Sequence, residues 1–215
     1  MPRKIHEYPG RDLTVRYDLS LCIHAGECVR RAPEVFDPKA RPWVAADEAS
    51  AQKIAEVVDC CPTGALHAVS PAGEPLETEP AEATITLRPN GPLYVRGRTR
   101  IERMSGEAFA EDSRFALCRC GASSNKPFCD GAHRDAEFRD SGKLGRPAGS
   151  AEPTASGPLT VRPAPNGPLL VNGPCTLHGA GDSTAVTKAA LCRCGLSENK
   201  PYCDGAHATG KFQAE

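Results

Sequence analysis

The stretch FALCRCGASSNKPFCDGAH, residues 115–133, returns as AALCRCGLSENKPYCDGAH, residues 189–207, with changes at four of nineteen positions. So close a copy marks an internal repeat. The likeness runs upstream, where TITLRPNGPLYVRG at 84–97 corresponds to LTVRPAPNGPLLVNG at 159–173. Each is an alternating apolar and polar run, interrupted by Asn-Gly-Pro and then resumed, which predicts two strands about a turn. Two similar modules, 84–138 and 158–215, therefore follow one another. The Gly, Pro, Ser and Ala content of 139–157 marks the segment between them as a linker.

In the first module Cys118, Cys120, Cys129 and His133 stand with one, eight and three residues between them, and Cys192, Cys194, Cys203 and His207 repeat those gaps. Cys118 and Cys120, at the end of a strand, are close enough to share one metal ion. Cys129 and His133, four apart, suit two ligands on one helical turn. Asp130 and Gly131 fit the start of that turn, whose N-terminal N–H groups would face an anionic cluster. Three Cys and one His are also ordinary zinc ligands. Zinc modules commonly place two to four residues inside the first ligand pair, so the Cys-x-Cys pair and the long loop favour iron while spacing alone leaves zinc open.

Composition narrows the classes. Among 215 residues, 26 Lys and Arg face 27 Asp and Glu, so there is no basic surplus for binding led by nucleic-acid phosphates. Hydrophobic residues make up 40% and aromatics 5%, a thin supply for a core, and metals held by some of the 11 Cys are expected to help stabilise the chain. An odd cysteine count, behind an opening MPRKIHEYPGRD with no apolar signal, fits reduced, metal-bound thiols better than disulfides. The expectation is a cytoplasmic protein with no membrane contact, since no apolar run reaches the roughly 20 residues of a membrane span. Phosphate-binding glycine loops, a nucleophile elbow and paired carboxylates are all missing, so no catalytic site of its own is expected.

Residues 1–70 have no counterpart in the repeat, and the Pro- and Glu-rich segment 71–83 sets them apart. Residues 13–19 alternate like a strand. Ala51, Ile54, Ala55 and Val58 fall at helical spacing, with Asp47 as the expected N-cap and the helix ending about Cys60, before Pro62. Residues 65–69 predict another strand. Cys22, Cys28 and the Cys61-Pro62 pair keep the register of the bacterial ferredoxin run, except that Ala25 stands where the middle cysteine would be. Three thiolates suit a [3Fe-4S] cluster. A [4Fe-4S] cluster would need His24, water or Cys60 as fourth ligand.

Both repeats resemble the CDGSH iron-sulfur domains, the mitoNEET-like family, with Ala132 and Ala206 in place of the motif's Ser. The resemblance implies a [2Fe-2S] cluster in each, with Cys118 and Cys120 on one iron and Cys129 and His133 on the other. In the second copy, Cys192 and Cys194 share one iron, and Cys203 and His207 share the other. It also implies a potential above that of an all-cysteine site, and an intertwined pair closed within one chain as a pseudo-dimer. The segment CIHAGECVRRAPEVFD, with RPWV and DCCPTGAL, resembles the divergent single-cluster ferredoxin family over about residues 12–70. The fold expected is α+β, a small ferredoxin-like α/β unit followed by two β-rich modules.

These readings describe a monomeric one-electron carrier that meets redox partner proteins and no nucleic acid. The alternatives are storage, sensing or transfer of clusters to apo-acceptors and, less favoured, a structural zinc protein. Cys175 is expected to be a buried spare thiol, Trp43 to pack the N-terminal unit, and His6, His67 and His178 to be ordinary hydrogen-bonded or surface residues. Arg96, Arg98, Arg100 and Arg103 read as a solvated face.

Overall fold

The computed structural model describes residues 4–147 and 157–214. The chain separates into two compact units, which divide between Glu79 and Pro80. No helix among the described residues is long and apolar enough to cross a membrane.

In the first unit, alternation along the chain builds an antiparallel sheet of three strands, β1 (Ile5–Pro9), β2 (Thr14–Asp18) and β3 (Leu66–Val69), in that order. Val15 and Tyr17 of β2 face inward. Asp18 ends the strand, its carboxylate accepting from the Ser20 N–H at 2.9 Å to start a single 3-10 turn, Leu19–Leu21. A short helix α1 (Glu27–Arg31) follows, then α2 (Ala51–Asp59), which packs on β3 and buries Ile54, Ala55, Val57 and Val58. The N-cap of α2 is Ser50, not Asp47. The Ser50 hydroxyl accepts from the Lys53 N–H at 3.2 Å, while Asp47 is taken by the Arg11 N–H at 2.8 Å. Trp43 donates to the Tyr8 hydroxyl at 2.8 Å and sits edge-on to Tyr17, as a packing residue does.

The second unit is mostly sheet. The first repeat gives β4 (Ala83–Leu87), β5 (Leu93–Glu102) and β6 (Ala108–Leu117), and the second gives β7 (Leu159–Pro163), β8 (Leu169–His178) and β9 (Ser183–Leu191). Within each repeat the strands pair antiparallel. Between repeats β5 pairs parallel with β7 and β4 pairs parallel with β8, so that β4, β5, β7 and β8 close a ring of pairings. Both long strands shift register at the equivalent place, between Arg96 and Thr99 and between Asn172 and Cys175. Before the shift each pairs with the short strand of its own repeat, and beyond it with the short strand of the other. One apolar core results, in which Ile85, Leu93 and Phe115 meet Val161, Leu169 and Leu191. Cys175 is buried in that core, and burial pushes its thiol up to about 12.

The segment expected to be a linker, 139–157, is fixed where it begins. Asp140 and Asn90 exchange backbone and side-chain hydrogen bonds, and Gly145 donates to the Lys200 carbonyl at 2.9 Å. Residues 148–156 lie outside the described residues. The arginines near the first hairpin are partly matched by acids, Arg98 and Arg100 by Glu111 and Arg103 by Glu107.

Candidate metal centres

Strands β6 and β9 deliver the first ligand pair of each repeat directly after their last residues. The eight-residue loop then folds back as a hairpin. Cys118 donates its N–H to the Pro127 carbonyl at 2.8 Å and Cys129 to the Ala116 carbonyl at 2.8 Å; Cys192 and Cys203 do the same with Pro201 and Ala190, at 2.7 and 2.8 Å. This pairing sets Cys129 opposite Ala116, one diagonal step from Cys118. The loop residues that the copies share have local work to do. The Ser123 hydroxyl donates to the Phe128 carbonyl at 2.7 Å and accepts from Asn125 N–H, and Ser197 repeats both bonds with Tyr202 and Asn199. Asp130 accepts from the Ser124 and Ala132 N–H groups, as Asp204 does from Glu198 and Ala206, so each carboxylate ties the loop to the segment carrying the His.

The ligands come together two by two. Cys118 and Cys120 Sγ lie 3.9 Å apart and Cys192 and Cys194 Sγ 3.6 Å. Cys129 Sγ lies 3.5 Å from His133 Nδ1, and Cys203 Sγ 3.3 Å from His207 Nδ1. Two thiolates on one tetrahedral metal stand about 3.8 Å apart, and a thiolate and an imidazole about 3.5 Å. Each pair therefore fits one metal, and among the described residues no three such side chains group round a single ion position. The expected helix after Cys129 is only a series of turns in the first repeat; in the second it is α3 (Ala206–Thr209), four residues long. The N–H groups that reach the sulfurs belong to turns: Gly131 to Cys129 at 3.4 Å, Ala122 to Cys120 at 3.4 Å and Leu196 to Cys194 at 3.5 Å.

Burial raises most of these thiols, Cys129 and Cys194 to about 11. The Cys118 thiol rises because it donates to Cys120, with burial adding, and Cys120 falls by accepting that bond. Near neutral pH the raised thiols hold protons that a metal must displace, so loading becomes easier as pH rises.

Two shared residue types beside the ligands carry weight that ligand spacing does not reveal, although CRCG stands in both copies. Arg119 and Arg193, between the paired cysteines, are fully buried; they donate to carbonyls of Arg88 and Gly91 and of Ala164 and Gly167. The guanidinium groups lie over the rings of Phe138 and Phe212, at 5.2 and 5.5 Å. Gly121 packs on the Cys194 carbonyl and Gly195 on the Cys120 carbonyl, so the two ligand turns face each other across the repeats.

In the first unit Cys22 follows the 3-10 turn, Cys28 lies in α1 and Cys61 follows α2. All three line one cavity of about 540 Å³, together with His24, Tyr17 and Trp43. Burial pushes the Cys28 thiol up to about 11, with Cys61 and Cys22 adding to the rise. Cys60 is not among the lining residues, and its thiol donates to the Glu56 carbonyl at 3.3 Å.

The family described as "Iron-binding zinc finger CDGSH type" matches residues 90–134 and 166–208, and the family described as "Divergent 4Fe-4S mono-cluster" matches residues 8–71. The chain belongs to the tandem CDGSH iron-sulfur proteins, with a divergent 4Fe-4S mono-cluster domain at its N-terminus. The mono-cluster domain is also similar to the uncharacterised protein YjdI of Escherichia coli strain K12, 37% identical over 59 residues that cover 27% of this chain and 78% of YjdI. The same protein of strain O157:H7 matches equally. No solved structure matches the chain. The matched ranges include the duplicated Cys-x-Cys and Cys-x3-His motifs and, in the mono-cluster domain, Cys22, Cys28 and Cys61.

Proposed function

We propose that this protein is a one-electron carrier with two [2Fe-2S] clusters, one on Cys118, Cys120, Cys129 and His133 and one on Cys192, Cys194, Cys203 and His207, and a third cluster on Cys22, Cys28 and Cys61. The observation that carries the reading is that each CDGSH ligand set forms two close pairs, each spaced as two ligands of one metal. A single zinc ion would want all four around one point. When bound, such clusters supply one-electron reduction and reoxidation. The protein's part is to hold the sulfurs in turns and to donate backbone N–H groups to them.

The crossed pairing of β4 with β8 and β5 with β7 supports a pseudo-two-fold arrangement inside one chain, and the sheet and helices of the first unit support a ferredoxin-like role for it. A soluble redox protein is the partner that such a carrier requires. Protein prepared without oxygen should carry about seven or eight irons with similar sulfide, and its visible absorption should bleach on reduction. Stoichiometric zinc without sulfide overturns the reading.

A second reading, transfer of clusters to an apo-acceptor, is favoured by one observation: His133 and His207 are only half-buried, so solvent reaches the one non-thiolate ligand of each site. His133→Cys with His207→Cys is expected to slow transfer by tenfold or more, an order-of-magnitude figure for removing a neutral, protonatable ligand. Unchanged transfer would remove this reading and leave electron carriage standing.

A further inference from the structure

We propose that His24 is the fourth protein ligand of the N-terminal cluster and completes a four-iron site that the cysteines alone leave one ligand short. The inference rests on the reading that this unit holds a cluster. Its starting point is the cavity of about 540 Å³, where Cys22, Cys28 and Cys61 supply three thiols and Ala25, at the position of the missing cysteine, supplies no donor.

The other candidates round that cavity are committed elsewhere. Cys60 stands outside the lining and bonds the Glu56 carbonyl. Glu27 is held by Arg30 at 2.5 Å and Arg31 at 3.0 Å. The Thr63 hydroxyl accepts from the Ala65 N–H at 3.2 Å and lies 3.5 Å from Cys61 Sγ. Tyr17 is packed edge-on against Trp43, with ring centroids 4.9 Å apart.

His24 differs from these. Its φ is 54°, a left-handed backbone that a non-glycine residue keeps only where its surroundings hold it. His24 is exposed and lines the cavity beside Cys22, with Nδ1 4.0 Å from Cys22 Sγ. Because the ligands of a four-iron cluster sit on separate irons, the ring has to part from that sulfur to take its own iron. Among the described residues no hydrogen bond draws the ring anywhere else. A neutral imidazole nitrogen is an ordinary ligand for iron.

The test uses the full chain, prepared without oxygen and then oxidised, with iron, sulfide and the EPR spectrum measured together. Oxidised two-iron and four-iron clusters are EPR-silent, whereas an oxidised three-iron cluster has an odd electron. The unaltered chain should be silent, with about eight irons. His24→Gly, which keeps the left-handed backbone free of strain, should lose about one iron per chain and gain a three-iron signal of about one spin. His24→Cys should restore both the count and the silence, and Cys60→Ala should change neither. The proposal falls if His24→Gly keeps the full count and stays silent, if the unaltered chain already shows the three-iron signal, or if Cys60→Ala is the variant that loses iron. A different result marks failure of the underlying reading: about four irons in the unaltered chain, with no loss on Cys61→Ala.

Discussion

Gly121→Ala is expected to destabilise the second unit by roughly 2–5 kcal/mol and to strip iron from both CDGSH modules at once. Gly121 has φ 81°, where an alanine is strained by about 1–2 kcal/mol. A Cβ there would also fall well inside contact distance of the Cys194 carbonyl, and all three nearest atoms belong to the backbone of Cys194, which cannot swing aside like a side chain. Overpacking of that kind costs about 1–3 kcal/mol more. Relief must come by moving the turn that carries Cys194, a ligand of the other module. Gly195 makes the reciprocal contact, its Cβ position 2.7 Å from the Cys120 carbonyl oxygen, so Gly195→Ala should act in the same direction on the first module. Gly106→Ala separates the two contributions, because Gly106 has φ 89° but nothing within 4 Å of its Cβ position. It should lose only the backbone part and keep its iron. Thermal midpoints and iron per chain measure both effects, and a Gly121→Ala protein that behaves like Gly106→Ala would show that the facing turns do not hold the ligands.

Much of this arrangement can be read from residues 115–133 and their copy. Ligand types and gaps, the paired strands about Asn-Gly-Pro, and the strand leading into each Cys-x-Cys pair are local features, and local features survive in the pattern of a sequence. The ferredoxin-like register of Cys22, Cys28 and Cys61 is legible for the same reason. Features set by distant contacts are not. Asp140 sits in a Gly- and Ser-rich stretch whose composition says linker, yet it binds Arg119, twenty-one residues away. The helix expected from the spacing of Cys129 and His133 is only a series of turns in the first repeat and four residues in the second. In both, a glycine at positive φ (Gly131 at 92°, Gly205 at 91°) and an aspartate that captures two N–H groups precede it. The N-cap moves from Asp47 to Ser50 because Arg11, thirty-six residues away, claims the aspartate. The exchange of strand partners between β5 and β8 turns on register shifts that leave no mark in apolar alternation.

Arg119→Met should destabilise the second unit by about 3–5 kcal/mol, the range for removing one partner of a buried ion pair. The Arg119 side chain has no exposed surface, and that of its partner Asp140 is 12% exposed. One guanidinium joins three separate segments. It donates to Gly91 at 3.0 Å and Arg88 at 2.5 Å in the β4–β5 turn, to the Asp140 carboxylate beyond the metal loop, and is itself anchored between Cys118 and Cys120. Methionine fills the volume and keeps the Phe138 contact apolar, but it takes the guanidinium away from two carbonyls and a nearly buried carboxylate. Of these the Gly91 carbonyl loses its side-chain donor, while Arg88 and Asp140 keep only the N–H groups of Gly91 and Gly142. Asp140→Asn is the informative comparison. It removes the charge while its side-chain oxygen can still accept from Gly142 N–H, now 2.8 Å from the carboxylate, and both carbonyl bonds to Arg119 remain. Its effect should therefore be about 1–2 kcal/mol. Denaturant midpoints of the two variants, followed beside the lifetime of the visible absorption, test whether Arg119 acts mainly by charge pairing or by tying segments together. Unequal losses in the expected order, with the first module's absorption fading faster in Arg119→Met, mean that the guanidinium clamps the Cys118–Cys120 turn to the rest of the unit. Equal losses would assign the whole effect to the ion pair and leave the two carbonyl bonds without weight.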